Sequence, residues 1–114
     1  MSTKMRYEAI HDKLSLLELN AELDQVWADL QRDDSRVSTM ARNAGIDLNE
    51  VRAHKRGDVI SVQYGGAGLD PKTVEILIDI LVNVGTAIFM RLVEKVIVPR
   101  IQEKMGRDVL KPRE

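Results

Sequence analysis

Residues 76–101 read ILIDILVNVGTAIFMRLVEKVIVPRI, and the placement of this apolar stretch decides the fold. It can cross a membrane, fill the core of one subunit, or press against another copy. A single span needs about 20 mainly apolar residues. The uncharged run covers only residues 80–90, and extending it back to residue 76 takes in Asp79. A carboxylate inside the bilayer costs roughly 2.5–3.5 kcal/mol on the lenient insertion scale. Trp27, Tyr7 and Tyr64 lie elsewhere in the chain, so no aromatic belt flanks the run. A membrane span is not expected, and a buried protein helix is.

Wound at about 100° per residue, the segment gathers Lys72, Glu75, Asp79, Asn83, Thr86 and Glu94 into one polar stripe. Arg91 and Lys95 interrupt one flank, and nearly everything else is Ile, Leu, Val, Phe, Met, Ala or Gly. A helix of this kind needs partners around most of its circumference. Asp70 as cap and Pro71 at the first helical position open it, Pro99 kinks or restarts it, and Gly106 ends it. The expectation is one apolar helix over 71–105.

The rest of the chain reads as helices that could cover part of it. Residues 4–13 suit a helical turn or two. Ser15-Leu-Leu-Glu18 matches a capping box opening a long helix over 16–32, with Leu16, Leu19, Leu23, Val26 and Leu30 at alternating spacings of three and four. A helical pair follows over 36–56. Gly45 sits where a left-handed turn is needed, and Asp47 caps the second member with Glu50 three residues on. Residues 57–69 read as an extended, Gly-rich connector. Within it Val59-Ile-Ser-Val-Gln-Tyr64 is the only strand-like run, with Ile60, Val62 and Tyr64 on one side. The expected class is therefore all-α: a single domain over 1–114 with two long helices, a short pair between them and at most one isolated strand.

At 114 residues, 44% hydrophobic and 31% charged, the chain is a folded domain rather than a disordered one. A formal net charge of −1 gives no global pull toward nucleic acid or anionic lipid. Charge alternates along the chain: 1–30 and 58–90 lean acidic, 31–57 and 91–114 lean basic. The absence of cysteine makes a reducing cytoplasm the default compartment, and the charged N-terminal residues lack the apolar run of a secretory signal.

Chemistry is sparse. His11 and His54 lack neighbours at metal-ligand spacing. A Gly-rich loop before Lys72-Thr73 imitates a phosphate-binding loop. However, Pro71 stands where the motif needs a glycine amide, and Asp70 would repel phosphate. Arg56-Gly57-Asp58 spells an adhesion tripeptide by chance. No catalytic residue, cofactor or metal is expected, and the chain does not read as an enzyme.

One local pattern points to a ligand. In Met40-Ala-Arg-Asn-Ala-Gly-Ile-Asp-Leu-Asn-Glu-Val51, Ala41, Gly45, Ile46 and Val51 are spaced to let two helices approach, turn and close a small core. The pattern, over residues 37–56, resembles a helix-turn-helix DNA-binding motif. That resemblance implies a second helix in the major groove, with Asn49, Arg52, Lys55 and Arg56 as the DNA-contacting residues. His54 stands where the motif turns an apolar residue inward, and Glu50 places a negative charge on the DNA face.

The reading is a non-enzymatic interaction or assembly protein, an adaptor or accessory, with another protein as a candidate partner. Self-association is expected through the apolar C-terminal helix, most simply as a two-fold dimer. The expected interface is Leu77, Leu81, Val84, Ile88 and Leu92. Its rival is a dimeric helix-turn-helix transcriptional regulator, and a third reading is a membrane-active helical protein that hides residues 76–98 until triggered.

Overall fold

The segment that reads as one helix is a strand, a turn and a shorter helix. The computed structural model describes residues 3–10, 13–65 and 73–112. In it, β3 spans Thr73–Ile80, and helix α5 begins only at Thr86. The expected all-α class is thereby overturned: the chain is mixed α/β, with a four-stranded antiparallel sheet ordered β2-β3-β1-β4. Its other strands are β1 (Thr3–Ile10), β2 (Ile60–Tyr64) and β4 (Leu110–Pro112). The helical turns expected over 4–13 are also a strand, so the strand-like run at 59–64 is not isolated.

The physical reason lies in residue type and period. Val74, Ile76, Ile78 and Ile80 recur every second position, so in a strand all four point to one face. Their branched Cβ atoms favour that state over a helix. Ile76, Ile78 and Ile80 are fully buried. β1 supplies the partner in the same period, pairing from Thr3↔Ile80 to Ile10↔Thr73. It buries Met5, Tyr7 and Ala9 and leaves Lys4 and Arg6 exposed. The apolar segment thus needs no second subunit to cover its whole girth, because one half packs on the other across the same core.

Gly85, in the left-handed region at φ 77°, makes the turn from sheet to helix, and the Thr86 hydroxyl bonds back to the Val82 carbonyl at 2.9 Å. Helix α5 (Thr86–Leu92) then runs through a π-helical turn, Val93–Ile97, into α6 (Val98–Met105). The Val98 amide donates to the Val93 carbonyl, five residues back. That wider turn lies immediately before Pro99, which has no amide to donate and whose ring crowds the preceding turn. The rod therefore restarts at Pro99, and Gly106 (φ 113°) ends it.

Between β1 and β2 lies the helical layer: α1 (Leu16–Leu30), α2 (Arg36–Asn43), α3 (Leu48–Arg52) and the single turn α4 (Arg56–Val59). The Ser15–Glu18 capping box opens α1. Leu19, Leu23, Val26, Trp27 and Leu30 face the core, against Phe89, Leu92, Val93, Val96, Ile97 and Ile101 of the C-terminal rod. Trp27 stacks on Phe89, with ring centroids 6.4 Å apart and planes 16° from parallel. The helices occupy the isoleucine face of β3, and the other face carries Lys4, Arg6, Gln63 and Leu77.

The cap expected at Asp70, the helix-opening Pro71, the glycines at 66 and 68, and His11 lie outside the described residues. Thr73, the first described residue after Pro71, already belongs to a strand.

Candidate functional site

Helices α2 and α3 are joined by a tight turn at Gly45. The Gly45 amide donates to the Arg42 carbonyl (3.0 Å) and the Ile46 amide to that of Ala41 (2.9 Å). With Gly45 at φ 74°, this is a Schellman C-cap. Ala41, Ile46 and Val51 are all buried between the helices, and Asp47 caps α3 through the amides of Asn49 and Glu50.

The four residues that the helix-turn-helix resemblance aimed at DNA are not alike. Asn49 and Lys55 are exposed. Arg52 instead turns back to the α1–α2 corner. Its Nε donates to the Leu30 carbonyl at 2.7 Å, and its Nη2 lies 2.8 Å from the Asp33 carboxylate. Arg56 bonds Asp24 through Nε at 2.8 Å and the Ile60 carbonyl through Nη1 at 3.2 Å. These two arginines tie the helical pair to α1 and β2. His54 contributes through its backbone, whose carbonyl accepts from Trp27 Nε1 at 3.0 Å. Its ring lies T-shaped against Phe89, with centroids 5.6 Å apart and planes at 79°. The second helix of the pair has only five residues, Leu48–Arg52.

The five residues expected on one helix face are dispersed over three elements. Leu77 is on β3, half-buried on the face away from the helices, between Arg6 of β1 and Gln63 of β2. Leu81 and Val84 lie in the turn between β3 and α5, 40% and 84% exposed. Ile88 is half-buried on α5, and Leu92 is fully buried in the chain's own core. Of the five, Leu81 and Val84 are exposed and Ile88 is partly so. Leu92 has no surface to offer a partner.

A groove bounded by β1 and the C-terminal rod is lined by Met5, Tyr7, Met90, Glu94, Val98 and Pro112. Burial pushes the Tyr7 phenol up to about 12, with the Glu94 carboxylate adding to the effect. At neutral pH that hydroxyl is a neutral donor, not a nucleophile or base. Across the sheet, Asp79 is buried on the outward face. One carboxylate oxygen accepts from Gln63 Nε2 at 3.0 Å, and the other has no hydrogen-bond partner among the described residues. Also among them, no three His, Cys, Asp or Glu side chains are grouped to hold a metal ion, and no helix is long and apolar enough to cross a membrane.

The edge of β2 is the feature that sequence reading missed. Bonds from the Leu81 amide to the Val59 carbonyl (2.8 Å) and from the Gly65 amide to the Glu75 carbonyl (2.9 Å) bracket its ladder with β3. In an antiparallel pair the bonding direction alternates. The register Ser61↔Asp79 and Gln63↔Leu77 therefore turns residues 61 and 63 toward β3 and residues 60, 62 and 64 outward. The sequence signal for it is the uncharged run ISVQY, whose edge position depends on β3, a segment whose polar spacing predicts a helix.

Comparison with protein-family models, with curated proteins and with solved structures found no match to this chain.

Proposed function

We propose that the chain is a non-enzymatic assembly module that works by binding protein, including a second copy of itself. The observation that carries this reading is the exposure of Leu81 and Val84, 40% and 84%, in the turn that leads to the half-buried Ile88. Leu17 and Tyr64 are exposed as well, and large apolar side chains left in water favour surfaces that another protein covers. Covering the part still in water contributes about 25 cal/mol for each Å² of apolar surface removed. The absence of cysteine favours the cytoplasm as its compartment.

Light scattering coupled to chromatography, over a range of protein concentrations, tests the reading. A mass above that of the 12.9 kDa chain is expected. Replacing both Leu81 and Val84 with Asp should reduce binding to protein partners without unfolding the domain. A chain that stays monomeric at every concentration and retains no partner contradicts it.

The Schellman turn between α2 and α3, with Asn49 and Lys55 exposed beyond it, favours a second reading as a DNA-binding regulator. Phosphate contacts weaken steeply with salt. Binding to mixed duplexes should then fall between low and moderate salt, and Lys55→Ala should shallow that dependence. The engagement of Arg52 and Arg56 with the chain itself leaves this reading the weaker of the two.

A further inference from the structure

We infer that the outer edge of β2 pairs, antiparallel and about a two-fold axis, with the same edge of a second copy, joining two sheets into one. The inference rests on the self-association reading and gives it a location. Of the three outward-facing residues, Ile60 is already satisfied. Its amide donates to the Arg56 carbonyl, and its carbonyl accepts from Arg56 Nη1. Val62 and Tyr64 are left with two amides and two carbonyls that no described residue engages. An open edge of this kind is a template for another strand, and chains ordinarily guard it with lysine, proline or a bulge. Residues 60–64 contain none of these.

The geometry selects the occupant and the register. At a two-fold axis each group meets its own copy, so a charged strand would repel itself; ISVQY carries no charge at neutral pH. Centring the axis on Val62 would set Tyr64 opposite Ile60, whose groups are taken, leaving two bonds. Centring it on Gln63 sets Val62 opposite Tyr64 twice, and all four groups bond. On the helix-side face the half-buried Val62 then lies against the 51% exposed Tyr64 of the other copy, an aromatic–branched cross-strand pair. The two Gln63 residues face each other as a non-hydrogen-bonded pair, with Cα atoms about 4.5 Å apart.

Because the chain has no cysteine, a single introduced thiol reports this register. Gln63→Cys should form an intermolecular disulfide under mild oxidation, since a Cα separation near 4.5 Å is within bonding range. Ser61→Cys, roughly 13 Å from its counterpart in this register, should crosslink several-fold less. Val62→Pro removes an amide that β3 does not use, so the fold should persist by circular dichroism while the dimer is lost by light scattering. A dimer that survives Val62→Pro and fails to crosslink through Gln63→Cys overturns the edge inference and leaves association standing. Equal crosslinking of both thiols also overturns it. A wild-type chain that is monomeric at every concentration removes both.

Discussion

The Leu81 amide donates to the Val59 carbonyl at 2.8 Å, and this bond sets the phase of the whole β2–β3 ladder. It ties the turn that carries the exposed Leu81 and Val84 to the residue where α4 becomes strand. Slipping this pairing by one residue would turn Ile60 and Val62 away from the core. The same bond decides that Val62 and Tyr64, rather than Ser61 and Gln63, present their backbone to a partner.

The contact between α1 and the C-terminal rod should dominate stability. Phe89 is fully buried between the Trp27 ring and the His54 ring, stacked on the first and perpendicular to the second. Phe89→Ala should cost about 3–5 kcal/mol, the range for an aromatic removed from a closed core. Val84→Ala, at a side chain 84% exposed, should change stability by no more than about 0.5 kcal/mol. Urea unfolding of both variants checks the contrast, and similar losses would contradict the burial described.

Asp79 is predicted to weaken the fold. A buried oxygen without a partner costs about 1–3 kcal/mol, and Gln63 satisfies only one of its two oxygens. A branched apolar residue also suits the middle of a strand better. Asp79→Val should raise the urea midpoint by the equivalent of about 1 kcal/mol with an unchanged slope. A lower midpoint would mean that the carboxylate contributes net stability where it stands.

Tyr7 gives the fold an alkaline limit. Its phenol is raised from 10.0 to about 12 by burial and then by Glu94, so the folded chain holds a proton that the unfolded chain releases. The associated stability is fully present below pH 10, declines above it, and is gone once the pH passes about 12. Tyr7→Phe should flatten that decline in thermal melts across the same window. An unaltered alkaline profile would show that Tyr7 does not set it.

Local features were legible in the sequence, and remote ones were not. The Ser15–Glu18 box and the Gly45 turn involve residues within a few positions of each other, and both form as read. β1 and β3 satisfy their backbones against each other across the length of the chain, so neither signals itself alone. Glu75 and Asp79 favour the helical reading of β3. A spacing of four keeps two residues on one face of a helix, and an even spacing does the same in a strand. Leu77 between them, apolar on the outward face, masked the period of two. The Gly45 turn is therefore readable from its neighbours, while the β2 edge is recognisable only from the strand state of β3.

Amide hydrogen exchange, followed residue by residue at several protein concentrations, tests most directly the claim that the chain assembles through its sheet. Ser61 and Gln63, whose amides face β3, should be protected throughout the series. Val62 and Tyr64 should exchange fast in dilute protein and become protected as the light-scattering mass approaches twice 12.9 kDa. Fast exchange at Val62 and Tyr64 in a sample that is fully dimeric would place the contact elsewhere and contradict the account.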